Sequence, residues 1–118
     1  MHTIRLKRVY DRVEAKDGIR LLADRLWPRG IKKADLDYEI WIKELCPSTM
    51  LRRAWHSQQI DYATFKQAYA QELQQQPAGL EEMATLLMES DITLLTATKE
   101  PERSHLPVLR DCIAVYAK

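Results

Sequence analysis

The chain has little cysteine: Cys46 and Cys112 stand far apart, outside any C-x-x-C pair. Neither a disulfide framework nor a zinc site is expected from them, and a reducing compartment suits the chain best. No apolar run approaches the roughly 20 residues that span a bilayer, so no membrane partner is expected. The opening tract, MHTIRLKRVYDRV, is charged throughout and lacks the apolar centre of a secretory signal, which makes the cytoplasm the expected location. Three glycines are too few for most phosphate-cradling loops, and no P-loop, G-x-G-x-x-G, H-E-x-x-H or G-x-S-x-G tract occurs. No cofactor is expected. His2, His56 and His105 lie too far apart in sequence to suggest a metal site.

What is present is ordinary for one globular domain spanning residues 1–118, with 46% hydrophobic and 30% charged residues. The formal net charge of +1 conceals an asymmetry. Residues 1–33 carry ten Lys or Arg against four acids, and the remainder carries eight against thirteen. A positive end facing a negative one can attract an anionic ligand or support head-to-tail self-association, unless these charges are solvated or paired across the fold.

TIRLKRVY alternates with a period of two, the pattern of a strand with one wet face. Asp17-Gly18 is a turn signal, and IRLLADRL reads as a second, central strand because it is apolar on both faces. A helix is expected over Asp37–Leu45, where Tyr38, Trp41, Ile42 and Leu45 form a stripe that Asp35 or Asp37 can cap. Ser48 can cap a short helix, TMLRRAWH, and Asp61 a longer one through Leu73. Leu80 to Leu87 marks a further helix, DITLLTATK a third strand, and Leu106 to Tyr116 a last helix that tolerates Pro107 in its first turn. The expected fold class is α/β, a small, largely parallel sheet of about three strands flanked by about five helices.

In such sheets ligands bind beyond the carboxyl ends of the strands. Two strand exits carry unusual polar content. In DRLWPRG, Pro28 and Gly30 set a stiff turn, and Arg25 and Arg29 offer guanidiniums suited to phosphate or carboxylate beside the Trp27 indole. Asp24 can act as acid or base, or can pair with an Arg to lock the turn while Trp27 plugs the core. At the other exit, Thr96, Thr98, Lys99 and Glu100 follow the strand, and Ser104 and His105 open a helix whose N–H groups can receive an anion. His105 there should have its charged form disfavoured; the alternative is a cap and a surface histidine. Arg52 shares a helix face with Ser48, while His56 either reaches a pocket or ends the helix. The cysteines read as buried small side chains.

Read together, DRLWPRG, the tract from Trp41 to Arg52 and LLTATKEPERSHLPVL resemble the YeaO-like family, a short branch of the proteins grouped as domain of unknown function 488. The likeness covers nearly the whole chain. It implies a single cytosolic α/β domain of bacterial type with no established activity. Thr96 stands where the family usually has an aromatic residue and Ser104 where it has Asn. Longer relatives carry Cys at the positions of Thr96 and Ser104, so their thiol chemistry is not available here; His105 is retained.

The resemblance favours one pocket formed by both exits. Asp24 and His105 are its candidate acid–base residues, and Arg25, Trp27, Arg29, Thr96, Lys99 and Ser104 its ligand contacts, with Arg52 and His56 at the rim. The expected partner is a small anionic ligand bearing phosphate or carboxylate, with catalysis undecided between enzyme and sensor. The alternative, an interaction module using the basic residues 1–33, ranks lower for nucleic acid because of the near-neutral net charge.

Overall fold

The computed structural model describes residues 2–118. Its strands are β1 (Ile4–Arg8), β2 (Ile19–Leu22), β3 (Ile40–Trp41) and β4 (Ile92–Thr96). Its α-helices are α1 (Thr49–His56), α2 (Tyr62–Leu73), α3 (Pro77–Glu89) and α4 (Leu106–Tyr116). The sheet order is β1-β4-β2-β3 and every neighbouring pair is parallel. All five residues of β4 are buried, as its unbroken β-branched and apolar run requires of a central strand.

Alternation along the strands divides the core into two layers. Leu21, Ala23, Ile92 and Leu94 face the helices, where Tyr69, Leu73, Leu80, Met83, Leu106, Leu109 and Ile113 complete the larger cluster. Burying one such Leu contributes about 1.5–3 kcal/mol. Leu22 and Leu95 face the other way and are covered by loops rather than helices, against Val9, Leu36, Trp27, Tyr38 and Trp41.

The caps follow the sequence. Ser48 Oγ accepts from Leu51 N at 3.2 Å, Asp61 Oδ1 accepts from Thr64 N at 2.8 Å, and Pro107 lies in the first turn of α4. At the Asp17-Gly18 turn, Gly18 has φ +63° and a Cβ there would clash with the Asp91 carbonyl, so only glycine fits.

The helix expected over Asp37–Leu45 does not form. Its residues make the edge strand β3 and a 3₁₀ turn over Lys43–Leu45, and neither Asp35 nor Asp37 caps a helix. A nine-residue helix is marginal by itself, whereas here Glu39 N donates to Arg20 O and Ile42 N to Leu22 O, extending the sheet. The apolar stripe also splits: Tyr38 and Trp41 enter the loop-covered layer, Ile42 and Leu45 the helix-covered one. The sheet therefore gains a fourth strand, and the described residues form four α-helices.

Candidate functional site

β2 and β4 end side by side, and Asp24 ties their exits together. Its Oδ1 accepts from Thr96 Oγ1 at 2.7 Å and its Oδ2 from Ala97 N at 2.8 Å. Trp41 Nε1 donates to the Asp24 carbonyl at 2.6 Å. One step along, Arg25 reaches away from the strand ends: Nε donates to Pro47 O at 2.7 Å and Nη2 to Cys46 O at 2.8 Å, holding the segment that leads into α1. Trp27 donates Nε1 to Ile31 O at 2.6 Å and meets Tyr38 and Trp41 edge-on, with ring centroids 5.6 and 5.5 Å away. Much of DRLWPRG thus locks its own turn. Arg29 is the exception: it is exposed, and its guanidinium makes no hydrogen bond or ion pair among the described residues.

From the other exit, His105 packs edge-on against Tyr69 at 6.0 Å. Its Nε2 lies 3.6 Å from Asp24 Oδ1 and hydrogen-bonds the Ala23 carbonyl. A carbonyl only accepts, so Nε2 carries the proton. Burial pushes the His105 pKa below its ordinary value, outweighing Asp24 and the Ala23 carbonyl, which favour the charged form; His56 adds to the lowering.

Two of the first three positions of this helix offer no free N–H to an anion. Ser104 Oγ donates to Pro101 O at 2.7 Å and accepts from Leu106 N at 3.1 Å, and Pro107 has no N–H. His105, at the N-cap, makes no side-chain cap, so Ser104 Oγ satisfies the Leu106 N–H alone.

The exits enclose one wall of a cavity of about 340 Å³. Asp24, Arg25, Trp27, Arg29, Ser104 and His105 all border it, and α1 supplies the facing wall with Arg52, Trp55 and His56. Thr96 is buried behind Asp24 and does not line it; Lys99 is exposed and does not line it either. No residue of α1 is fully buried. The helix is held by Ser48, whose N and Oγ bind the two Glu72 oxygens at 2.8 and 2.6 Å, and by Trp55, stacked on Phe65 at 5.3 Å. Arg52 Nε is buried and has no hydrogen-bond partner among the described residues.

Sequence reasoning missed the apolar lining, namely Leu26, Pro28, Pro47, Trp55 and Phe65. Trp55 had a signal: it follows Arg52 by three residues, so the two share a helix face. Cys46 lies beside the site with its Sγ 3.5 Å from the Ile42 carbonyl, and burial raises its pKa strongly, so it is no thiolate.

A family model described as "Inactive DUF488-N3 subclade" matches residues 3–117. The chain belongs to the YeaO-like DUF488 family. Among its DUF488 relatives, the uncharacterized protein YeaO of Escherichia coli (strain K12) is 47% identical over 108 residues, 92% of this chain and 94% of that protein. The uncharacterized proteins Rv3073c of Mycobacterium tuberculosis (strain ATCC 25618 / H37Rv) and Mb3100c of Mycobacterium bovis are each 41% identical over 106 residues, 90% of this chain and 89% of theirs. No solved structure matches this DUF488 chain.

Proposed function

We propose that the cavity at the strand exits binds a small anionic ligand, with Arg29 and Arg52 as its cationic contacts, and that it does so without turning the ligand over. The observation that carries this reading is that Arg29 and Arg52 both border the cavity and that neither guanidinium has a hydrogen-bond or ion-pair partner among the described residues. Arg29, free on the DRLWPRG turn, supplies the second charge. Arg25, expected to share this role, has Nε and Nη2 bound to Pro47 and Cys46, so it acts as a strut.

Binding rather than catalysis is favoured because the acid–base candidates are engaged. Both Asp24 oxygens accept hydrogen bonds from the fold, and His105 Nε2 is bound to the main chain. The description of the matching family as inactive supports the same reading. The basic residues 1–33 favour an interaction surface less. Lys7 and Arg20 pair with Asp17, and Arg5 with Asp91.

The test is a thermal-shift panel of phosphate, sugar phosphates, nucleotides and carboxylates, run on the wild type and on Arg29→Ala/Arg52→Ala. A ligand at 100 times its Kd adds about 2.7 kcal/mol. The reading expects a shift in the wild type that the folded double variant lacks. Equal shifts in both proteins, or none with any compound, would count against it; binding to nucleic acid that weakens steeply with salt would favour the interaction module.

A further inference from the structure

We infer that the ligand of this cavity carries, besides its anion, a planar apolar body and an N–H or O–H donor, which His105 reads through Nδ1. The inference rests on the anion-binding reading above and extends it to ligand class.

Three observations lead here. First, the cavity of about 340 Å³ lies in the range of small-molecule sites, roughly 300–1,000 Å³, and an inorganic anion leaves most of it empty. Second, much of the lining beside the arginines is apolar, including Trp55, which is stacked on Phe65, and Leu26, which is 59% exposed. A bare phosphate gains nothing from such a surface, whereas an aromatic ring does.

Third, His105 is fixed in one tautomer. The Ala23 carbonyl requires the proton on Nε2, and the neutral ring then has its lone pair on Nδ1. Nδ1 has no hydrogen-bond partner among the described residues. Arg52 Nε is the one side-chain nitrogen or oxygen among them that is both fully buried and unpartnered. His105 Nδ1 therefore reaches solvent, and His105 borders this cavity. The site presents cationic donors, aromatic side chains and, in His105, a neutral acceptor, beside an Asp24 carboxylate whose oxygens already accept from Thr96 and Ala97. That set suits a hydroxy- or amino-substituted aromatic carboxylate or phosphate, and ligands lacking the donor leave Nδ1 unmatched.

Calorimetry at pH 7.5 with benzoate, its three monohydroxy isomers and the three methoxy counterparts tests this. At least one hydroxybenzoate should bind about three- to tenfold more tightly than benzoate, the size of one net hydrogen bond. Its methoxy counterpart should show no gain, and His105→Phe should abolish the difference between the two. Histidine ¹⁵N spectra of the wild type give a readout independent of that variant's folding. The His105 ring should show an unprotonated Nδ1 whose resonance moves on adding the preferred hydroxybenzoate. Benzoate binding that depends on Arg52, with no gain from any hydroxyl or with the proton found on Nδ1, overturns the ligand class and leaves the anion site standing. No binding by any of the seven, with phosphate and the sugar phosphates also silent, removes both.

Discussion

Asp24 Oδ1 and His105 Nε2 are 3.6 Å apart, yet each is bound to something else: the carboxylate to Thr96 and Ala97, the imidazole to the Ala23 carbonyl. The pair joins three chain segments at the carboxyl end of the sheet. It is a junction of the fold as well as a wall of the cavity.

Asp24→Ala should accordingly destabilise the protein by about 1–3 kcal/mol, because it leaves Ala97 N without its acceptor and takes from the buried Thr96 Oγ1 one of its partners. Urea unfolding measures this. Arg29→Ala, on the same turn but free of internal partners, should stay within about 0.5 kcal/mol of wild type.

Acid should weaken the protein through His105. Its folded-state pKa is lowered by burial, so the unfolded chain takes up the proton first. Stability is then level above the ordinary histidine value of about 6.5 and declines as the pH falls through it. His105→Gln, whose amide can still donate to the Ala23 carbonyl, should flatten that decline between pH 7.5 and 5.5 in thermal melts.

A second acid-sensitive point lies on the loop-covered face. Burial alone would raise the Asp17 pKa, but the Glu14 N–H, Lys7 and Arg20 outweigh it and hold it below the usual carboxylate value. Its contribution is complete above the ordinary Asp pKa and is lost as the pH falls through the lowered one. Asp17→Asn leaves Arg20, 3% exposed, without its counter-charge. It should cost about 3 kcal/mol at neutral pH, read as a lower denaturation midpoint.

How far the sequence carries this architecture can be judged from three places. β1, β2, β4 and helices α1 to α4 follow directly from periodicity and from the caps Ser48 and Asp61. Asp37–Leu45 does not, because an i, i+3, i+4 stripe is equally well satisfied by a short edge strand and turn that feed two core layers. Within DRLWPRG the residue types announce a stiff turn at a strand exit. Which arginine is free depends on the Cys46 and Pro47 carbonyls, brought there by tertiary structure. The sequence puts Arg52 only at the rim of the pocket and leaves Trp55 unassigned for the same reason: only the packing of α1 on Phe65 turns that helix face toward the cavity.

The anion site turns on Arg52, and the most direct measurement is the thermal stability of Arg52→Met with and without the anion panel. Removing a buried, unmatched Nε while keeping the apolar stem should leave the ligand-free protein as stable as wild type or up to about 1 kcal/mol more so, as at sites where function costs stability. The variant should also lose the anion-induced shift that the wild type shows. A variant clearly less stable than wild type that still responds to the same anions would contradict the account, and Arg52 would then be a structural residue.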